Sequence, residues 1–161
     1  MKLHLSYILP LFLLLLAACK NKEEMNHLKN ENSLIFSKGE KITNDNFTGN
    51  AYLQMLIAAD SLNTIAVGNV TFESGARSKW HLHPAGQILL VTDGVGYYQE
   101  KGQPKKILRK GDAVKCPPDV PHWHGASADT AFVQLAITGR EKGETVWLQP
   151  VTDEEYHSNN R

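Results

Sequence analysis

From residue 47 onward, the chain is built of short apolar or alternating runs that are interrupted by glycine, proline, aspartate and asparagine. Such punctuated runs are typical of strands that are joined by tight turns. The predicted strands are Ala51–Ile57, Thr64–Phe72, Lys79–His83, Gln87–Thr92, Val95–Glu100, Lys105–Arg109, Ala113–Cys116, Ala131–Thr138 and Thr145–Leu148. Turns are predicted at residues 93–94, 101–104, 110–112 and 117–119. Many short strands with frequent turn signals indicate an all-β sandwich or barrel.

One short helix is predicted near the C-terminal end of this strand-rich region. The stretch Thr152-Asp153-Glu154-Glu155 offers a threonine that can cap a helix, followed by acidic residues. Acidic side chains suit the first turn of a helix because they face its partial positive charge.

The N-terminus has to be separated from the fold. A short positive start precedes the apolar run of residues 5–18, which is shorter than the ~20 residues of a membrane-spanning helix and is typical of a secretion signal. Its end, Leu16-Ala17-Ala18-Cys19, resembles the bacterial lipobox, in which the cysteine is acylated. An ordinary signal peptide with an incidental cysteine is the alternative.

This resemblance divides the chain into a lipoprotein signal peptide (residues 1–18), a lipid-anchored polar tether (19–36) and a domain (37–161). Acyl chains on Cys19 would hold the protein on a membrane of the cell envelope, on the periplasmic side or at the cell surface. With Cys19 acylated, Cys116 has no intramolecular disulfide partner, so the core must stabilise the domain. Cys116 is then either a small buried hydrophobe or a reactive thiol near a site.

The balance of charged residues argues against nucleic acid as a partner. The 17 basic residues equal the 17 acidic ones, and no basic run stands out. Nucleic acid binding is therefore not expected, since it requires a basic surface against the phosphates.

Two histidine pairs suggest a metal site. His81 and His83, like His122 and His124, are two residues apart, so on a strand both members of a pair project from one face. Gln87 shares the alternation of the first pair. Three imidazoles and an amide oxygen would suit Mn, Fe, Co, Ni, Cu or Zn. Exposed polar residues on two separate strands are the alternative, because spacing does not show that the strands meet.

Two longer segments resemble the motifs of the cupin family. Residues 75–94, "GARSKWHLHPAGQILLVTDG", are similar to the first cupin motif, and residues 111–125, "GDAVKCPPDVPHWHG", are similar to the second. The resemblance implies an all-β cupin double-stranded β-helix, or jelly-roll barrel. It also implies that His81, His83, Gln87 and His122 bind one divalent metal.

The resemblance extends to a subgroup. Together with "NFTG", "VTFESGA", "PHWHGAS" and "VTDEEY", the motifs are similar to small single-domain cupins related to carboxymuconolactone decarboxylase fusion proteins and to manganese-dependent bacterial hydroxynitrile lyases. In that subgroup the usual glutamate ligand is a glutamine, as Gln87 is here. A neutral amide leaves a divalent metal with both charges, where a carboxylate cancels one, so the metal is more electrophilic.

The subgroup implies manganese, with Fe, Ni, Co, Cu or Zn as alternatives, and lyase chemistry on a small hydroxyl- or carbonyl-bearing molecule. His124 is the predicted proton donor or acceptor, or else a residue that fixes the site by hydrogen bonding. Gln134 stands where the hydroxynitrile lyases carry a histidine; it can orient a substrate but cannot exchange a proton.

Four functions follow as hypotheses. The first is a metal-dependent cupin lyase with hydroxynitrile-lyase-like or decarboxylase-like chemistry, and the second is a cupin dioxygenase. The third is a non-catalytic envelope lipoprotein that binds a small ligand through its metal. The fourth is a structural metal site, closed by His124, in a domain for protein interaction. Similar cupins also imply that two barrels can pair as a homodimer.

Overall fold

The computed structural model describes residues 35–158. The predicted signal peptide, Cys19 and nearly all of the predicted tether lie outside these residues. A compact unit begins at Phe36. No helix between residues 35 and 158 is both long and apolar enough to cross a membrane.

Strands dominate the described part of the chain, and the all-β prediction is confirmed. The strands are β1 (Glu40–Lys41), β2 (Phe47–Thr48), β3 (Ala51–Ile57), β4 (Ile65–Phe72), β5 (Arg77–Ser78), β6 (His81–Leu82), β7 (Gln87–Glu100), β8 (Lys106–Arg109), β9 (Ala113–Cys116), β10 (His122–Ala126), β11 (Phe132–Gly139) and β12 (Val146–Trp147). The helix α1 spans Asp153–His157.

The 14-residue strand β7 joins the two halves of one curled, antiparallel sheet. Its first half pairs with β11 and β9, and its second half pairs with β10 and β8. The strand order is β1-β3-β4-β11-β7-β10-β5-β2; in addition, β6 pairs with β10, and β12 pairs with β6. The sheet therefore curls into a half-barrel whose inner face carries the cavity described below.

The predicted turn at Asp93-Gly94 is wrong, because β7 runs through it. The register shifts at this point: Val133 faces Asp93, whereas Gln134 faces Val91. Gly94 has a φ of 76°, and a Cβ there would collide with the carbonyl oxygen of Ala131. A glycine is therefore required, but for a bulge that redirects the strand rather than for a hairpin.

The predicted strand over residues 79–83 is also corrected. The structure has the two short strands β5 and β6 instead, separated by Lys79 and Trp80. The backbone of Trp80 forms hydrogen bonds with the segment that follows β12. Its N–H donates to the carbonyl of Gln149, and its carbonyl accepts from the N–H of Leu148. The chain thus leaves its pairing with β2 after Ser78 and pairs with β12 from His81 onward, while β10 borders both short strands.

The predicted helix and its threonine cap are confirmed. The backbone N–H of Glu155 donates to the hydroxyl of Thr152, and the Glu155 carboxylate accepts from the Thr152 N–H, which completes a capping box. Tyr156 packs against Trp123, and its hydroxyl donates to the carbonyl of Ala126 at 2.8 Å. The helix thereby covers the outer face of β10, and leaves the inner face of that strand for its histidines.

Candidate metal centre

Three of the predicted ligands lie together. His81, His83 and His122 are buried, and each offers a nitrogen atom such that these atoms all lie within 4.8 Å of one another. His81 and His122 are register partners across β6 and β10, with ring centroids 4.4 Å apart. The two histidine pairs therefore meet across one strand pairing. Three buried histidines at this spacing could hold a metal ion.

Local hydrogen bonds set which ring nitrogens are available. Nδ1 of His81 is 2.9 Å from the carbonyl of Lys79, and Nδ1 of His122 is 2.9 Å from that of Val120. A carbonyl oxygen only accepts, so Nδ1 carries the proton and Nε2 keeps its lone pair. Such bonds commonly orient histidines that bind metals.

The donor atoms fit a divalent metal. Nε2 of His83 and Nε2 of His122 are buried and have no hydrogen-bond partner among residues 35–158. A buried polar atom without a partner costs free energy, and a metal ion would satisfy both nitrogens.

The rings are held in their neutral form. Burial lowers the pKa of His81 well below its usual range, and the rings of His124 and His122 add to this. Burial, with His122 and Arg140 beside it, lowers the pKa of His83 to about 3. Burial also lowers the pKa of His122. Neutral imidazoles at neutral pH are the form that binds metals.

Gln87 lies near His83, and its role as a metal ligand stays a prediction. It begins β7, is buried, and lies close enough to His83 to favour that ring's protonated form. Its Nε2 donates to the hydroxyl of Thr138 at 2.8 Å.

His124 lies beside the three histidines. Its ring centroid is 5.1 Å from that of His81 and 6.1 Å from that of His122. Burial, together with the rings of His122 and His83, holds its pKa well below the usual range. It is not among the described histidines whose nitrogen atoms approach within 4.8 Å. This geometry does not support a shell closed by His124.

Gln134 contacts His124 instead of the cavity. Its side chain is fully buried, and its Nε2 is 2.9 Å from Nδ1 of His124. Because the amide nitrogen donates, Nδ1 of the neutral ring accepts and Nε2 carries the proton. In this orientation of the Gln134 amide, His124 is in the opposite tautomer to His81 and His122. We expected Gln134 to orient a substrate directly, whereas the structure places it against the ring of His124.

A cavity of about 130 Å³ opens beside the histidines. Its apolar walls include Phe47, Leu53, Met55, Ala66, Val70, Ala136 and Trp147, and its polar lining comprises Ser78, His81, His83, Gln87, His124, Thr138, Arg140 and Thr145. The hydroxyl of Thr145 is 3.1 Å from Nδ1 of His83 and accepts from Arg140 at 3.2 Å.

Sequence reasoning missed Thr138, Arg140 and Thr145. Thr138 lies four residues after Gln134 on β11, and residues at even spacing on a strand share a face. The same alternation that singled out Gln134 would therefore have predicted Thr138. Arg140 and Thr145 follow the end of β11, where no periodic pattern marks them.

Comparisons with known proteins place this geometry in a family. The Cupin domain profile matches residues 68–138. The (R)-mandelonitrile lyase of Granulicella tundricola is 44% identical over 113 residues, which cover 70% of this chain and 86% of that protein. The chain belongs to the cupin family.

Solved cupins share the fold. A cupin-like protein from Thermotoga maritima superposes with a TM-score of 0.74 at 48% identity, covering 78% of this chain and 96% of its own. The DMSP lyase DddQ from Ruegeria pomeroyi superposes with a TM-score of 0.54 at 25% identity, covering 68% of this chain and 55% of its own. The predicted cupin architecture is confirmed, and so is the predicted resemblance to hydroxynitrile lyases.

Proposed function

We propose that this cupin is a metal-dependent lyase that acts on a small hydroxyl- or carbonyl-bearing molecule, with hydroxynitrile-lyase-like or decarboxylase-like chemistry. The observation that carries the proposal is a buried cluster of imidazoles, in which the nitrogen atoms of His81, His83 and His122 lie close together and His124 lies beside them in the wall of the cavity. The Nδ1 atoms of His81 and His122 contact backbone carbonyls, which leaves a lone pair on Nε2 of each ring, whereas Nδ1 of His124 contacts the amide of Gln134. The first three imidazoles suit metal binding, and His124 suits contact with a reacting group. The similarity to a mandelonitrile lyase supports the same reaction class.

Four side chains would hold the metal: the imidazoles of His81, His83 and His122 and the amide oxygen of Gln87. Manganese is the first choice, with Fe, Ni, Co, Cu and Zn as alternatives. When bound, the divalent ion would supply a Lewis acid for an oxygen of the substrate. All four donors are neutral, so the ion would keep its full charge.

His124 is proposed to move the proton. In cyanohydrin cleavage, Nε2 of His124 takes the hydroxyl proton, the bond to the nitrile carbon breaks, and its electron pair leaves with cyanide. The same nitrogen then returns the proton to cyanide, so that an aldehyde and hydrogen cyanide result. To accept the proton, His124 has to shift its own proton to Nδ1.

Gln134 can serve both tautomers of His124. Its Nε2 donates to Nδ1 now, and its Oε1 is buried without a partner among the described residues. A half-turn of the amide would present Oε1 to a protonated Nδ1 and free Nε2 of His124 to accept. A glutamine therefore permits the tautomer exchange, although it contributes no proton of its own.

The cavity limits the substrate to a small, partly apolar molecule. A volume of about 130 Å³ is close to that of engineered apolar cavities that admit benzene, about 150 Å³. The aromatic and aliphatic walls favour an apolar body.

A second candidate is a non-catalytic protein that binds a small ligand through its metal. It is favoured by Gln134, which cannot exchange a proton where the hydroxynitrile lyases carry a histidine. The two candidates share the metal site and differ in whether the bound molecule is cleaved.

The test uses the purified full-length protein in detergent. Elemental analysis measures bound metal in the wild type, in His81→Ala and in His157→Ala, which alters an exposed histidine of α1 as a control. The proposal expects metal in the wild type and in the control only. Undiminished metal in His81→Ala would defeat the site.

Cleavage of mandelonitrile and other cyanohydrins is then measured beside oxygen uptake. We expect cleavage faster than by the free metal, and a His124→Ala variant that keeps its metal but loses turnover. Cleavage no faster than in buffer would favour the binding protein, and substrate-dependent oxygen uptake would favour a dioxygenase.

We also propose that Cys19 is acylated and anchors the protein at the cell envelope. The lipobox-like stretch before Cys19 supports this. In cells grown with a labelled fatty acid, the wild-type protein should incorporate the label and the Cys19→Ser variant should not. Label retained in that variant would overturn the anchor.

We propose that two copies of the protein pair as a homodimer through the outer face of the sheet. Ile88 and Leu90 on β7 point outward, opposite to the buried Leu89 and Val91, and Ile65 on β4 is exposed as well. Exposed aliphatic side chains on one sheet face are typical of an interface. Light scattering measures the molar mass of the wild type and of Ile88→Glu. We expect a dimer for the wild type and a monomer for the variant, and a monomer mass for both would exclude this interface.

A further inference from the structure

The amide of Gln87 lies between two polar side chains from neighbouring strands. Thr138 of β11 is its register partner on one side, and Cys116 of β9 is its partner on the other. All three residues are buried. The cross-strand register therefore places a hydroxyl and a thiol against the same amide.

The two neighbours contact opposite ends of that amide. Nε2 of Gln87 donates to the Thr138 hydroxyl at 2.8 Å, and Sγ of Cys116 donates to Oε1 of Gln87 at 4.0 Å. The amide nitrogen thus points to β11 and the oxygen to β9.

We propose that Thr138 and Cys116 are positioning residues that hold the Gln87 amide in the one orientation that can bind the metal. The inference rests on the proposed metal site. An amide oxygen has lone pairs for a cation, whereas the amide nitrogen presents only N–H donors. A half-turn of the amide would direct two partial positive charges at a divalent ion.

Both neighbours are needed to select the orientation. A hydroxyl can donate or accept, so Thr138 alone would satisfy the amide in either orientation. The Cys116 side chain belongs to the buried core, and its S–H group is a weak donor that favours the amide oxygen. Oε1 has two lone pairs, and one remains for the metal when Cys116 uses the other.

The first test measures Mn(II) dissociation constants by competition with a chelator, using the full-length chain in detergent. Thr138→Val removes the hydroxyl at nearly constant volume and should weaken Mn(II) binding about tenfold, the usual size of an effect from a residue behind a ligand. Thr138→Ser retains the hydroxyl and should restore the wild-type value. Equal affinity in the wild type and in Thr138→Val would overturn the proposal.

A double-mutant comparison separates orientation from general disruption. In Gln87→Glu the ligand is a carboxylate, whose two oxygens are equivalent, so a half-turn changes nothing. Thr138→Val should therefore weaken Mn(II) binding much less in the Gln87→Glu background. An equal loss in both backgrounds would show that Thr138 acts only by packing.

A spectroscopic readout on the metal-free protein tests the orientation itself. The side-chain N–H signals of Gln87, assigned by their loss in Gln87→Glu, should shift in Thr138→Val and stay in place in Thr138→Ser. Signals unaffected by either change would overturn the proposed contact. If the wild type and His81→Ala bind Mn(II) equally, the metal site itself fails, and that outcome is distinct from a failure of Thr138.

Discussion

Nε2 of Gln134 lies 2.9 Å from Nδ1 of His124, in the buried wall behind the cavity. This contact joins a residue that was predicted to orient a substrate to the ring that is proposed to move the proton. It makes the tautomer of His124 depend on the side chain at position 134.

A histidine at position 134 should increase the proposed lyase activity. We expect Gln134→His to raise the rate of mandelonitrile cleavage by about tenfold or more, because a second imidazole can exchange protons. Gln134→Leu, of similar size but without polar atoms, should lower the rate below that of the wild type. Both variants should keep the wild-type metal content, measured by elemental analysis. A Gln134→Leu protein as active as the wild type would remove Gln134 from the mechanism.

Glu73 should make stability depend on acid. Hydrogen bonds from Asn50, Lys38 and Tyr52 lower the pKa of Glu73 from 4.5 to about 2. A carboxylate with a lowered pKa stabilises the fold fully above pH 4.5, and this contribution is lost as the pH falls toward 2.

Glu73→Gln tests this dependence. Because Glu73 is 41% exposed, we expect a loss of only about 1 kcal/mol in the free energy of unfolding at neutral pH, which disappears in acid. Urea unfolding at several pH values measures it, and Glu40→Gln on exposed β1 serves as the control. A constant difference between wild type and Glu73→Gln down to pH 2 would contradict the assignment.

Tyr156→Phe should loosen the helix from the barrel without affecting the metal site. The change removes the hydrogen bond to the carbonyl of Ala126 and keeps the ring packed on Trp123. Loss of one buried hydrogen bond should cost about 1 kcal/mol in the free energy of unfolding, measured in urea. Metal content equal to that of the wild type is expected, and a loss of metal would show that α1 supports the site.

Cys116 should be unreactive in the folded protein. Burial raises the pKa of its thiol to about 12, and the side chain is 1% exposed. Since the thiolate is the reactive form, a thiol reagent near neutral pH should modify Cys116 only in denaturant. Rapid modification of the native protein would instead favour the reactive thiol.

Much of the site could be predicted from local patterns. Alternation along a strand places His81 with His83, and His122 with His124, on one face each. The resemblance of residues 75–94 and 111–125 to the two cupin motifs implied the cupin barrel and the candidate ligands. The capping residues also predicted α1, because a capping box depends on neighbours within four positions.

Other features escaped prediction because distant segments decide them. Asp93-Gly94 is a signal for a positive φ, and that conformation occurs both in hairpin turns and in bulges. The partners on β11 select the bulge here. Gln134 has the alternation of a cavity residue, yet only the position of His124 across the barrel shows what it contacts.

The sequence by itself determined which side chains share a strand face, where glycine is needed and which donor types are present, because these depend on backbone periodicity and residue chemistry. Only the tertiary structure decided that His122 pairs with His81, that Thr138 lies against Gln87 and that Gln134 contacts His124. Those relationships depend on the register between strands distant in the chain, which the packing of the whole barrel selects.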